Sequence, residues 1–321
     1  MADVEKKYRV LFMGTPDFGS ATLEALIKDP QIEVPLVISQ PDTKRGRKMK
    51  LTPSPIKAKA LELGLEVETP EKVSTPEFIE KIKSLKLDAA LVLAYGQLLK
   101  QDLLDVLPNK FVNIHASLLP RWRGAAPIQR AVMAGDKETG LSFQAMQLKL
   151  DSGPIIFEEK TEILEEENSL ELAKRLSVIS SNLVCKVMKG HIDGQFDLVS
   201  QDEAKVTYAK KIEKSEGLIN WSMDAQALHD HIRGLKWGPG AYTNFEGKRL
   251  KISDTKIKLS ENTEQGVLSF IEEMASGDLI LWVGTAKGLL GVGTVQPEGK
   301  PSIKAKDFVN GYGLTVGQRF S

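Results

Sequence analysis

The sequence predicts an α/β protein in which a doubly wound parallel sheet domain is followed by a smaller antiparallel β-barrel or sandwich. Strand-like apolar runs alternate with helical spacings through the first half, the pattern of a parallel sheet with crossover helices. Short runs bounded by Gly, Asn or Asp follow in the last third, the pattern of a small all-β unit. Glycine is uneven, with 11 in residues 1–207 and 15 in residues 208–321.

Taken in order, Tyr8–Met13 reads as a strand, Phe18–Lys28 as a helix and Val34–Ser39 as a strand. A helix is expected over Ser54–Leu63, with Pro55 suited to its first turn. Helix Thr75–Leu85, the buried-looking run Ala89–Ala94, strand Phe111–Ile114 and helix Pro127–Ala134 follow. Leu172, Leu176, Ile179, Leu183 and Val187 lie at helical spacing within 168–189, and Asn168 with Glu171 forms a capping box at its start. The domains are expected at 1–190 and 208–321, joined by a connector at 191–207. Within the second domain the runs are Leu218–Trp221, Arg249–Ser253, Val267–Ile271, Leu279–Val283 and Leu289–Val295, with one helix over Asp224–Gly234.

Composition excludes several classes. At 321 residues the chain suits two domains at roughly 150 residues each. Lys+Arg and Asp+Glu both number 43, which argues against a protein coating nucleic acid over its whole surface and still allows a local basic patch. The single cysteine, Cys185, forms no internal disulfide or multi-Cys zinc site and is expected as a structural thiol. No apolar run approaches the 18 or so residues of a membrane span. The charged start, Met1–Lys7, lacks the apolar core of a secretory signal. A cytoplasmic, metal-independent protein is expected.

Four segments could carry chemistry. The turn Met13-Gly14-Thr15-Pro16-Asp17-Phe18-Gly19 has Pro16 where a dinucleotide fingerprint needs a second glycine, so nicotinamide binding is disfavoured. Asn113 and His115 are two residues apart, hence on one face of a strand, at the end where open α/β sheets bind ligands. A lone strand histidine usually just finds a hydrogen-bond partner; the Asn-x-His pair with its adjoining loop points to a site instead. Asp151 lies in a turn, Leu150–Pro154, where aspartate is common, but near a histidine it could orient and charge-stabilise the imidazole. Lys44, Arg45, Arg47, Lys48 and Lys50 crowd a loop bounded by Pro41 and Pro53 that holds no acid from Thr43 onward, a candidate polyanion clamp.

These motifs resemble the 10-formyltetrahydrofolate-dependent formyltransferases. The resemblance is carried by Asn113-x-His115-x-Ser117-Leu118-Leu119-Pro120 with Arg121–Ile128, and by Met13–Phe18, Gln40-Pro41-Asp42, Pro53–Lys57 and Ala94-Tyr95-Gly96-Gln97. Tyr208-Ala209-x-Lys211-Ile212 and Pro239-Gly240-Ala241-Tyr242 extend it through the second domain, and the whole chain looks like the members that formylate methionyl initiator tRNA. The resemblance implies a Rossmann-like catalytic domain and an OB-like C-terminal barrel. It places catalysis on Asn113, His115 and Asp151, folate on Ser117, Leu118, Leu119 and Pro120, and tRNA on the basic loop and the second domain. The formyl donor would be 10-formyltetrahydrofolate and the acceptor initiator methionyl-tRNA, with no metal, membrane or obligate protein partner. Two departures stand out: Lys149 where the family usually has glycine, and Thr43-Lys44-Arg45 where Arg-Pro-Ala is more usual. The alternatives are a formyltransferase acting on an amino-sugar nucleotide and a non-catalytic RNA-binding protein. Residues 208–321 carry 15 basic and 13 acidic groups, too small an excess to decide.

Overall fold

A computed structural model describes residues 6–45, 49–261 and 263–321, and the side chain of Arg45 lies outside the described part. The chain forms two compact units. The first runs up to residue 127 and takes in 139–161 and 173–208; the second comprises 128–138, 162–172 and 209–321.

Up to residue 209 the elements are β1 (Tyr8–Gly14), α1 (Ser20–Lys28), β2 (Ile32–Glu33), β3 (Val37–Ile38), β4 (Thr43–Arg45), β5 (Lys50–Thr52), α2 (Pro55–Glu62), β6 (Val67–Glu68) and α3 (Pro76–Ser84). They continue with β7 (Ala89–Leu93), α4 (Gln101–Leu104), β8 (Phe111–His115), β9 (Arg123–Gly124), α5 (Pro127–Met133), β10 (Glu138–Ala145), β11 (Ile155–Glu162), α6 (Ser169–Ile192) and β12 (Tyr208–Ala209). The first unit is built on a sheet ordered β11-β10-β8-β7-β1-β3-β6, with β2 also on β1. Strands β8, β7, β1, β3 and β6 are parallel. In β1 every residue but Arg9 is buried, and β7 is buried throughout, as parallel strands covered on both faces require. Helix starts follow local chemistry. Ser54 Oγ accepts from Lys57 N ahead of Pro55, and Thr75 Oγ1 accepts from Phe78 N ahead of Pro76. Asn168 and Glu171 exchange the two bonds of the expected capping box.

The sheet departs from an all-parallel design at one edge, where β10 runs antiparallel to β8. Between them in sequence lie residues 128–138, with most of α5, which belong to the second unit. The chain crosses from one half of the sheet to the other between β1 and β7, the switch point at which such sheets form a crevice. There Thr15 Oγ1 and Gln40 Nε2 both donate to the Tyr95 carbonyl, at 2.6 and 3.2 Å, so three of the recognised motifs meet.

In the second unit α7 (Ala225–Gly234) precedes β13 (Ala241–Phe245), β14 (Lys248–Lys258), β15 (Leu268–Glu273), β16 (Leu279–Gly284), β17 (Leu289–Pro297), β18 (Ile303–Lys304) and α8 (Ala305–Tyr312). The antiparallel order is β13-β14-β17-β16-β15, with β18 on β17. Alternation along β13 sends Ala241, Thr243 and Phe245 into a core shared with Leu250, Leu281, Val292 and Phe308. Residues near 320 close the barrel. Asn244 and Ser321 exchange main-chain bonds at 2.6 and 2.9 Å, while Leu268 N donates to the Gln318 carbonyl at 2.9 Å. Both edge strands are thereby covered. The expected run Leu218–Trp221 is not a strand: only Leu218 bridges, to Tyr242. Trp221 instead buries its ring and donates to Thr243 Oγ1, serving the core as a side chain.

Candidate active site

Asn113 and His115 on β8 lie opposite Gln144 and Ser142 on β10. Directly opposed residues share a sheet face, so these four polar side chains line one face near the C-terminal end of β8. Asp151 reaches the same face from the turn between β10 and β11. Its Oδ2 accepts from Gly124 N at 2.9 Å, and its Oδ1 accepts from Gln144 Nε2 at 3.1 Å and from Asn113 Nδ2 at 3.5 Å. Oδ2 also stands 3.7 Å from His115 Nδ1, within ion-pair range. His115 is 6% exposed, and its Nε2 lies 2.8 Å from the Trp122 carbonyl. A carbonyl only accepts, so this contact assigns a proton to Nε2 and leaves Nδ1 as the ring nitrogen open to exchange.

The turn holding Asp151 is closely fitted. Asp151 sits at φ +48°, in the left-handed region. A Cβ at Gly153 would lie 1.7 Å from the Ala145 carbonyl oxygen, so only glycine lets the chain pass there. Lys149, at the departure from the family pattern, points away into an ion pair: its Nζ donates to Glu203 Oε2 at 2.8 Å. Arg123 Nη2 donates to Glu203 Oε1, also at 2.8 Å. The hydrogen bonds from Arg123 and then Lys149 hold the Glu203 carboxyl well below its ordinary range, at about 2.

Ser117–Pro120 form an anchored loop beside this face. Ser117 Oγ donates to the Arg121 carbonyl at 2.6 Å, Ser142 Oγ donates to the Ser117 carbonyl at 2.8 Å, and Leu119 N donates to Ser142 Oγ at 2.9 Å. Ser117 and Leu119 are buried, while Leu118 and Pro120 are half-buried. Two short antiparallel strands, β4 and β5, carry the ends of the basic segment, with Lys44 opposite Leu51 and Arg45 opposite Lys50. Lys44 and Lys50 are exposed, whereas Arg47 and Lys48 lie outside the described residues.

Sequence reasoning passed over Gln144, Ser142, Gly153, Arg123 and Gln201. A signal existed for two of them: Ser142 and Gln144 are polar at period two within the otherwise apolar Leu141–Ala145, and both are buried. Cys185 lies off this face. Its Sγ donates to the Ala25 carbonyl at 3.3 Å, and burial pushes the thiol up to about 11, out of range for a nucleophile. Among the described residues, no group of three or more His, Cys, Asp or Glu is placed to hold a metal ion. No helix among them is long and apolar enough to cross a membrane.

Residues 6–188 match the formyl transferase family, and residues 211–313 match the formyl transferase C-terminal domain. Similar proteins include the methionyl-tRNA formyltransferase of Bdellovibrio bacteriovorus, 41% identical over 318 residues covering 98% of each chain. That of Bacillus subtilis is 40% identical over 310 residues, 96% of each chain. In fold, the chain is similar to an N-formyltransferase from Helicobacter canadensis solved with folinic acid and dTDP-3-aminofucose. That likeness has a TM-score of 0.62 at 16% identity, covering 90% of this chain and 99% of the other. The chain belongs to the formyl transferase family and, within it, to the methionyl-tRNA formyltransferases. It is an enzyme of formyl-group transfer.

Proposed function

We propose that Asn113, His115 and Asp151 carry the transfer of a formyl group from 10-formyltetrahydrofolate to the α-amino group of methionyl initiator tRNA. The observation behind this reading is the convergence of an amide, an imidazole nitrogen and a carboxylate on one buried sheet face, at 3.5 and 3.7 Å from Asp151. The acceptor amine attacks the formyl carbon, and the carbonyl oxygen becomes an oxyanion. Asn113 Nδ2 donates to that oxygen; a donor so placed is typically worth about 100- to 1000-fold in rate. The amine must lose a proton as its bond to carbon forms. His115 Nδ1 takes it, and the resulting imidazolium faces the Asp151 carboxylate. The bond from carbon to N10 of the folate then breaks, and the proton passes to N10.

The nucleophile is the substrate's own amine, so no protein nucleophile is required. The donor folate is assigned to the loop Ser117–Pro120 beside the catalytic face. The tRNA is assigned to the basic segment holding Lys44, Arg45, Arg47, Lys48 and Lys50, and to the domain 208–321, with residues 1–190 as the catalytic part. Formyl transfer from 10-formyltetrahydrofolate to charged initiator tRNA, run beside an amino-sugar nucleotide, tests the reading. Transfer to the tRNA alone is expected, and transfer to the sugar alone would overturn it.

A further inference from the structure

The segment 199–207, read from the sequence as a connector, packs behind the turn that carries Asp151. Val199 and Ile155 exchange main-chain bonds at 2.9 and 2.8 Å, which brings Gln201 against that turn. Gln201 Nε2 donates to the carbonyls of Asp151 at 2.9 Å and Gly153 at 2.7 Å. Its Oε1 accepts from Arg123 Nε at 2.9 Å and Nη2 at 2.7 Å. Arg123 is fully buried, and the next residue, Gly124, donates its N–H to the Asp151 carboxylate. The dipeptide Arg123-Gly124 therefore grips Asp151 twice, directly at the carboxylate and through Gln201 at the main chain. A non-glycine residue in the left-handed region persists only where its surroundings hold it.

We propose that Gln201, oriented by Arg123, is a positioning residue that locks the turn 151–153 so that the Asp151 carboxylate stays against Asn113 and His115. The proposal rests on Asp151 acting in catalysis. Among the described residues no main-chain donor within the turn reaches these two carbonyls, and Arg123 sets which end of the Gln201 amide faces them. An amide presents a donor on one side and an acceptor on the other, and this site uses both.

The test is Gln201→Glu, which keeps an acceptor for Arg123 and replaces the donor with an oxygen facing two carbonyls. Single-turnover formylation of charged initiator tRNA should fall about 10- to 100-fold, with KM for the tRNA within about twofold and Tm within a few degrees. In an Asp151→Asn background the same change should cost less than about twofold, because Gln201 acts through the residue already disabled. Should Gln201→Glu fail to fold, Gln201→Ala is read in the same cycle, since water can enter the space it opens. Gln201 variants at wild-type rate beside a slow Asp151→Asn would overturn the proposal and leave the Asp151 assignment standing. Equal losses in both backgrounds, or a loss confined to KM, would overturn it too. A fast Asp151→Asn enzyme would instead remove the catalytic assignment on which it rests.

Discussion

Replacing Asp151 by Asn keeps the shape of the side chain and removes its charge. At 3.7 Å from His115 Nδ1, a carboxylate and an imidazolium attract by roughly 4 kcal/mol at an effective dielectric of about 20. At about 1.4 kcal/mol per decade that is close to three decades of rate. Asp151 retains some contact with solvent, so the expected loss is about 100- to 1000-fold in the chemical step. Stability should also fall. With its oxygen toward Gly124 N, the new amide turns its NH2 toward the donors of Gln144 and Asn113. Losing a hydrogen bond to a charged group costs about 1.5–3 kcal/mol, or several degrees of Tm in a unit of this size. Single-turnover formylation at saturating donor isolates chemistry from product release, and thermal unfolding measured beside it separates site from fold. A rate within about threefold of wild type would refute the reasoning, because the charge would then do nothing for the transition state.

Asn113→Ala, which removes the oxyanion donor, should slow single turnover by about 100- to 1000-fold with the fold intact; His115→Ala, which removes the proton acceptor, should cost about 100- to 10,000-fold, and a fully active His115→Ala enzyme would return that residue to a structural role. Gly153→Ala should lower both Tm and rate, by about 1–3 kcal/mol in stability or more, because its Cβ has no room beside the Ala145 carbonyl; unchanged denaturant unfolding would contradict that geometry. Each charge removed from among Lys44, Arg45, Arg47, Lys48 and Lys50 should flatten the log–log salt dependence of tRNA binding by about 0.7–0.9, and an unchanged slope after losing all five would sink the clamp. Burial holds His191 and His229 below the ordinary histidine value. The unfolded chain then binds protons first as pH falls through about 6.5, so stability declines on the acid side, by up to roughly 1.4 kcal/mol per pH unit for each histidine. His191→Gln, whose amide can still donate to the Asn109 carbonyl, should show a shallower decline by denaturation at pH 7 and 5.

Periodicity and caps made most of the first sheet legible. Of the expected buried run Ala89–Ala94, Ala89–Leu93 are buried and Ala94 is exposed beyond the strand end, while Ser54, Thr75 and Asn168 cap the helices they precede. These are local effects, decided by neighbours within four residues. The antiparallel direction of β10 was not legible, because it is fixed by pairing with β8, distant in sequence, and leaves no mark within β10 itself. Barrel closure by residues near 320 was hidden for a similar reason: main-chain bonds leave no mark on the side-chain pattern. Trp221 read as part of a strand because an aromatic suits either a strand or a core plug, and only its neighbours choose.

The sequence by itself determined the class of fold and the pairing of Asn113 with His115 on one strand face. Each follows from backbone geometry or from spacing along one element. Tertiary structure alone decided that Asp151 meets that face, that Nδ1 rather than Nε2 of His115 is left open, and that Gln201 holds the turn from 50 residues away. Those depend on which distant groups become neighbours when the chain buries its apolar strands. A hydrogen bond between residues far apart in sequence has no periodicity to betray it.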